Sequence, residues 1–453
     1  MIWFDTHLLV VAFGLMVAAT AVVILQQRRS PQATLAWLMF LVLVPYLAIP
    51  AFFAIGFRKR PRRSPERPKP SAIPDGEMTG HPEIESMLCR YGLEAATGGN
   101  QFNLLVSGES AWADLVELIE SAETSLDVTL YILGNDPVGR RFCQALEAKA
   151  RQGVSVRVIL DGIGSFKRPR MALRRLGAAG GKVCLHSPFI HSPFGGRLNL
   201  RNHRKMVIAD GARVWAGGRN VARQYLGPAP TAGRWHDLSF RIAGPAVARY
   251  VSVFQSDWKA INGSQADMAV SVPQSVGDSV LQTIPAGPDQ PDDPLHDALV
   301  FACHSAKRRV WVSTPYFLPT PALSEALSIA VRRGVDVRLL TPAKSDQMLT
   351  DLARGSWLRE VQHNGCHIHF YPEMIHAKAI LADQLIFVGS ANLDARSLLL
   401  NFEMMVLLYS AADMAEVERW IEGMLAKAPV GILPAGPVRR SIEGVFKLVS
   451  PML

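Results

Sequence analysis

Two short stretches carry the residues best suited to chemistry: His203-Arg-Lys205-Met-Val-Ile-Ala-Asp210 and His376-Ala-Lys378-Ala-Ile-Leu-Ala-Asp383. Each runs on to a G-x-x-N group, Gly217-Gly218-Arg219-Asn220 and Gly389-Ser390-Ala391-Asn392. One H-x-K-x4-D match arises by chance in roughly a few per cent of chains this long, given ordinary residue frequencies. Two matches of the same form in one chain are not a coincidence of composition. Residues i and i+2 of a strand share a face, so each His projects with its Lys, and the apolar residues that follow build core. An imidazole pair flanked by ammonium groups suits nucleophilic and acid–base work on a phosphodiester. Lys205, Lys378, Asn220, Asn392 and Ser390 can donate hydrogen bonds to phosphoryl oxygens. Asp210 and Asp383 complete the spacing and stand among the candidate catalytic groups, although their strand-end positions, with Asp210-Gly211 as a hairpin turn, favour a structural role.

The elements that must position these groups repeat. Gly108 to Ser165 reads as helix, apolar strand (Ser125 to Leu133), helix, and the buried strand that follows Gly153. Pro294 to Lys344 reads the same way, with its strand at Arg309 to Pro315 and Gly334 at the equivalent junction, where glycine ends a helix. Hairpin-like segments follow, Lys205 to Gly217 and Lys378 to Gly389, so each half is expected to be α/β with a mixed sheet. Two pseudo-symmetric halves can share one cleft.

The chain has 453 residues, 49% of them hydrophobic, and two uncharged apolar runs lie at its start, Leu8 to Leu25 and Ala33 to Phe57. The second contains Pro45 and Pro50. Met1 to His7 lacks the basic residues of a secretory signal, so the runs predict a transmembrane hairpin. Nine basic residues (Arg28, Arg29, Arg58, Lys59, Arg60, Arg62, Arg63, Arg67, Lys69) face only Asp5 and Glu66 in residues 1–70, so most of the formal +9 charge sits there. Charge beside a membrane segment suits anionic headgroups, whereas a nucleic-acid enzyme needs it at the catalytic body. The cluster from Arg58 to Lys69 predicts a cytoplasmic body by the positive-inside rule, while Arg28-Arg29 points the other way. Pro61 to about Pro74 reads as a tether. The expected division is 1–60 membrane helices, 61–80 linker, 81–265 first half and 266–453 second half. Five scattered cysteines form no C-x-x-C, which indicates neither a disulfide framework nor a zinc site. His367-x-His369 reads as a structural strand pair, and Arg439 to Leu453, basic then apolar at helical spacing, as a helix packed on the core or lying on a membrane.

These motifs resemble the H-x-K-x4-D signatures of the phospholipase D superfamily. Leu200 to Lys205, Arg234-Trp235-His-Asp237, Arg241 to Pro245, Thr314 to Pro319, Gly389 to Ser397, Asn401-Phe402-Glu403, Ser450 to Leu453 and Thr34-Leu-Ala-Trp37 are similar to bacterial cardiolipin synthases. The resemblance implies two α/β/α sandwich halves with mixed sheets behind a transmembrane helical hairpin. It also implies an enzyme of the bacterial inner membrane, working without metal or cofactor, that moves a phosphatidyl group between two phosphatidylglycerol molecules through a phosphohistidine. By the same pattern His203 is the nucleophile and His376 the acid/base, Glu403 takes the histidine-orienting position of the second half, and Asp237 is its equivalent in the first. Gly218 departs from the serine common at its position, which removes one hydroxyl from the expected phosphate cradle. A hydrolase using water as acceptor, a phosphodiesterase of nucleic acid and a lipid-binding scaffold are the other readings. The first shares every motif, the second is disfavoured by the charge distribution, and the third by the intact His-Lys pairs. Oligomeric state is not legible.

Overall fold

A computed structural model describes residues 2–27, 31–57, 79–187, 199–263, 271–290, 292–431 and 435–449. The first apolar run forms α1 (Ile2–Gln26), of which Asp5–Gln26, 22 residues with mean hydropathy 2.9, is long and apolar enough to cross a bilayer. The second run breaks into α2 (Pro31–Leu43) and α3 (Pro45–Ile55), because Pro45 has no N–H to give and its ring obstructs the preceding turn. The chain folds back there. Trp37 on α2 meets Phe52 on α3 with ring centroids 5.3 Å apart, whereas fifteen residues of straight helix would separate them by about 22 Å. Phe13 stacks on Tyr46 at 4.9 Å, which puts the bend beside the middle of α1. The second run is thus a bent pair of 13 and 11 residues, each shorter than the stretch that spans a hydrocarbon core of about 30 Å, so among the described residues α1 is the one helix long and apolar enough to cross. The linker expected at 61–80 lies outside the described residues except for its last two.

The body repeats one pattern twice. α4 (Pro82–Arg90) leads into the first half, which runs β1 (Thr97–Leu105), α5 (Gly108–Glu120), β2 (Ser125–Leu130), α6 (Pro137–Arg151), β3 (Ser155–Asp161), α7 (Arg170–Ala178), β4 (Lys182–His186), β5 (Met206–Ala209), β6 (Arg213–Gly217), β7 (Ser239–Ala243) and α8 (Val247–Asn262). The second half runs β8 (Ser279–Ala286), α9 (Pro294–Ser305), β9 (Arg309–Ser313), β10 (Phe317–Leu318), α10 (Pro321–Arg332), β11 (Asp336–Pro342), α11 (Met348–His363), β12 (His367–Tyr371), β13 (Ala379–Ala382), β14 (Leu385–Gly389), β15 (Leu393–Asp394), α12 (Ala395–Leu399), β16 (Glu403–Leu408), α13 (Ala411–Leu425) and α14 (Pro437–Val449). Each half contributes seven strands to one sheet, in the order β12-β11-β9-β13-β14-β16-β8-β1-β7-β6-β5-β2-β3-β4. The order reads as the same series from either end, joined by the antiparallel pair β8 and β1. β2, β3 and β4 run parallel, as do β9, β11 and β12, and the hairpins add antiparallel strands. The mixed sheet expected of each half is thus present, and the two sheets are continuous.

Apolar faces of the helices cover this sheet. α5 turns Trp112, Leu115, Leu118 and Ile119 inward at helical spacing, and Ser107 and Ser110 cap its start reciprocally. α4 precedes the first half in sequence, yet Ile84 and Leu88 pack in the core of the second, beside Leu295 and Leu299 of α9. α14 packs on α11: Glu443 pairs with Arg359 and Arg439, and the Lys447 ammonium lies 3.9 Å from the Trp357 ring centroid. Residues 450–453 lie outside the described residues.

Candidate active site

Each motif histidine sits just before its strand, in a segment that pairs with the opposite half. Asn202 bridges to Phe402, with the His203 amide donating to the Phe402 carbonyl, and His236 bridges to Ile375, with the His376 amide donating to the His236 carbonyl. These bridges decide which carboxylate each histidine meets. Glu403 follows Phe402 and accepts from His203 Nδ1 at 2.9 Å, while Asp237 follows His236 and accepts from His376 Nδ1 at 2.7 Å. The expectation that each carboxylate serves its own half is corrected: both bonds cross the pseudo-dyad. An ionised carboxylate only accepts, so each Nδ1 carries the ring proton and each Nε2 keeps a lone pair.

Burial lowers the proton affinity of His203, with Lys205 adding to the effect and Glu403 opposing it. His376 falls to about 3 through burial and the Lys378 charge, against the pull of Asp237. Both shifts favour the neutral imidazole. Burial alone would raise the carboxyls, but His203 and Lys205 hold Glu403 below its ordinary value, as Lys378 and His376 hold Asp237. Lys205 is brought down to about 7 and Lys378 to about 8, again mainly by burial. Lys205 Nζ donates to the His203 carbonyl at 2.5 Å, and Lys378 Nζ donates to the His376 carbonyl and lies 3.1 Å from that histidine's Nε2.

The cleft between the halves is a cavity of about 250 Å³ lined by His203, His376, Asn220 and Asn392. Asn220 Oδ1 accepts from the Ile132 amide at 3.0 Å, which orients the side chain, and Asn392 Nδ2 donates to Ser397 Oγ at 3.3 Å. Ser390, expected in the phosphate cradle, instead donates its hydroxyl to Glu403 Oε2 at 2.5 Å and accepts from the Met404 amide. At the matching place in the first half, a Cβ on Gly218 would stand 2.2 Å from Asp237 Oδ1, so glycine leaves room for the carboxylate itself.

Asp210 and Asp383 are not in the cleft. Each follows its strand, so roughly 20 Å of extended chain separates it from its histidine. Their φ angles, +55° and +52°, place the carboxylates under the turn that begins the neighbouring strand. Asp210 accepts from the amides of Glu123, Thr124 and Ser125, and Asp383 from those of Lys307, Arg308 and Arg309. Their inclusion among catalytic groups is corrected, since the spacing is kept by a hairpin that ties each β5-type strand to its neighbour. The first hairpin holds two residues after its Asp and the second holds one, so Asn220 and Asn392 follow their histidines at offsets differing by one. Asp210→Ala is expected to cost about 2 kcal/mol of stability by orphaning these amides. It should lower the melting temperature while leaving turnover per folded molecule unchanged.

Several cleft groups carried no separate signal in the sequence. Tyr131 packs edge-on against His203 at 4.6 Å, and Tyr225 against His376 at 5.1 Å. Tyr316 donates to Asp346 at 2.5 Å and lines the same wall. Arg201 pairs with buried Asp161 at 3.4 Å, and Arg396 donates to Asn199 at 2.7 Å. Beneath the site, Arg204 grips Asp257 through both oxygens at 2.7 and 2.8 Å and donates to the Glu403 carbonyl. Arg201, Arg204 and Tyr316 fall inside motifs that carried the family resemblance, but residue type alone did not show their contacts.

Two fused α/β halves with one histidine–lysine pair apiece, meeting at a single cleft, define a phospholipase D-type protein. The family model described as "Cardiolipin synthase, PLD-like domain" matches residues 115–258 and 299–425, and a "Phospholipase_D-nuclease N-terminal" model matches 14–56. A cardiolipin synthase of Geobacillus thermodenitrificans is 32% identical, covering 96% of this chain and 91% of that protein. A probable cardiolipin synthase of Bacillus subtilis is 31% identical over 94% of this chain and 90% of its own length. The chain belongs to the cardiolipin synthase family of phospholipase D-like proteins. Among solved structures, phosphatidylserine synthase of Haemophilus influenzae Rd KW20 shares the fold, with a TM-score of 0.62 at 16% identity over 78% of this chain and 95% of that one.

Proposed function

We propose that this protein is a cardiolipin synthase that joins two phosphatidylglycerol molecules and releases glycerol. The observation that carries the reading is the pair of imidazoles in one cleft, each with Nδ1 bound to a buried carboxylate, in a chain that matches this family along nearly its whole length. His203 Nε2 attacks phosphorus and forms a P–N bond as the P–O bond to the glycerol headgroup breaks. His376 protonates the departing oxygen. The hydroxyl of a second phosphatidylglycerol then gives its proton to His376 and attacks phosphorus, breaking the P–N bond and restoring His203. The diester's negative charge beside Nε2 raises the proton affinity of His376, so substrate binding charges the acid that burial had kept neutral. Lys205, Lys378, Asn220 and Asn392 offset charge on the phosphoryl oxygens.

The test is incubation of the full chain in vesicles with labelled phosphatidylglycerol. Cardiolipin and free glycerol in equal amounts are expected. Phosphatidic acid alone would make the protein a hydrolase, and no lipid product would remove the reading. A pH profile gives a second check. The lysines must be cationic to hold the diester, and in the free enzyme they lose that charge as pH rises through about 7 and 8. kcat/KM is therefore expected to fall from about pH 7 and more steeply above about pH 8, and Lys378→Arg, which stays charged, should remove the second break and leave the first while lowering kcat.

The family and the apolar α1 support a location at a membrane. The reading extends to orientation. If α1 crosses and α2–α3 re-enters, the Arg28-Arg29 pair and the Arg58–Lys69 cluster lie on one face, so the two basic signals agree. That face is cytoplasmic by the positive-inside rule, with the catalytic body on it and the N-terminus outside. Asp5→Cys should be labelled by an impermeant maleimide from outside spheroplasts. Protection there would restore two crossings.

A further inference from the structure

The cleft mouth is flanked by two loops that the pseudo-dyad makes equivalent. One joins β3 to α7 and the other joins β11 to α11. Both reach the cavity, the first through Ile163 and the second through Asp346 and Gln347. Both sides also carry apolar side chains in the open. On the first side Phe166, in the loop, is 56% exposed and Met171, in the first turn of α7, 64%; on the second Met348 and Leu349, in the first turn of α11, are 73% and 46% exposed. Eleven large apolar side chains are exposed beyond α3 among the described residues, and five of them, counting Ile163, lie on these two loops or the first turns of the helices they lead into. Isolated exposed apolar residues need no explanation, but a concentration at both lips of one cleft does.

Charge distinguishes the occupant. Residues 162–175 hold Lys167, Arg168, Arg170, Arg174 and Arg175 with no acidic residue, although the chain beyond residue 70 carries little net charge. Lys167 and Arg170 are exposed. A groove between Phe166, Met171 and Arg140 is walled by Lys167, Arg168 and Arg170. On the first lip, apolar tips ringed by cations match the interfacial layer of an anionic bilayer, where the tips enter the acyl boundary and the cations meet phosphates; the second lip, with Lys344 against Asp346 and Asp351, adds apolar contact without net positive charge. A nucleic-acid surface would carry the cations without apolar tips at both lips.

We infer that these two loops seat the mouth of the cleft on an anionic lipid surface, so that donor and acceptor lipids enter from the bilayer without leaving it. The inference rests on the lipid-transferase reading and assigns the body a membrane contact separate from the N-terminal helices. The α1–α3 anchor holds the protein near the membrane, and the loops set which way the cleft faces.

The experiment uses the full chain in nanodiscs and a variant, Phe166→Ser/Met171→Ser/Met348→Ser/Leu349→Ser, none of whose positions touches the catalytic groups. Turnover is measured on long-chain phosphatidylglycerol in the disc and on dihexanoyl phosphatidylglycerol dispersed as monomers in solution. The variant is expected to lose at least tenfold on disc substrate and to stay within twofold on the soluble one. Equal turnover on disc substrate, as expected if these loops served a protein partner, or equal loss on both substrates, would overturn the docking face. An unmodified protein that makes cardiolipin from neither substrate would fail the transferase reading instead. Docking is then read without turnover, from an environment-sensitive fluorophore on Phe166→Cys. It should shift to the blue on phosphatidylglycerol discs and not on phosphatidylcholine discs, and no shift on either would overturn the inference.

Discussion

His203→Ala is expected to lower cardiolipin formation by about ten-thousand-fold or more, and His376→Ala by about a hundred- to ten-thousand-fold, with different partial reactions left behind. Without His203 no covalent intermediate forms, so no labelled phosphatidyl group should remain on the denatured protein. Without His376 the nucleophile is present but glycerol must depart unprotonated, and the step slows by the worth of a general acid, about a hundred- to ten-thousand-fold. A donor with an acidic leaving group needs no such proton. Phosphatidyl-p-nitrophenol should therefore label His376→Ala on His203 and release one equivalent of p-nitrophenol, then stall because the same imidazole must deprotonate the acceptor. The double variant should lose little more than His203→Ala alone, because the two rings act in one sequence and their effects do not add. Labelling of His203→Ala with retention in His376→Ala reversed would exchange the two roles, which near-symmetry of the cleft permits.

Much of this site was legible because strand periodicity and repetition are local. His and Lys two apart, an apolar strand, and Asp at a turn recur in both halves, and the structure places them as a hairpin of each mixed sheet. What the sequence could not show is how the halves interlock. His203 and Glu403 are 200 residues apart and His376 and Asp237 are 139 apart, and nearness in sequence favoured the opposite pairing. The crossing follows from two backbone bridges, Asn202 to Phe402 and His236 to Ile375, which no side-chain pattern announces. α4 escaped for the same reason, since an amphipathic helix does not state which core it enters. In contrast, Ser390 was visible by type and misplaced by role, because a hydroxyl can serve a carboxylate as readily as a phosphate, whereas the strand-end position of Asp210 already pointed to the turn whose three amides it holds. Pro45 was in plain view within the second apolar run, and its missing donor is what bends α2 back on α3.

The crossed pairing has its own kinetic signature. Glu403→Gln and Asp237→Asn each replace a buried acceptor-only group with an amide that can present a donor to Nδ1, which favours the wrong tautomer and turns Nε2 from acceptor to donor. Each is expected to lower cardiolipin formation by about a thousand-fold or more, by analogy with loss of the orienting carboxylate in other histidine-centred sites. The pairing decides which step suffers. Glu403 holds His203, so Glu403→Gln impairs attack, and phosphatidyl-p-nitrophenol should not rescue it. Asp237 holds His376, so Asp237→Asn impairs leaving-group protonation and should give a near-normal burst of p-nitrophenol followed by slow turnover. Pairing within each half would produce the reverse result, with the burst surviving in Glu403→Gln. Ser390→Ala separates support of the carboxylate from contact with phosphate. Its hydroxyl bonds Glu403 Oε2, so the variant should resemble a mild Glu403→Gln, with a slower burst and an unchanged KM, whereas a phosphate ligand would raise KM for every donor.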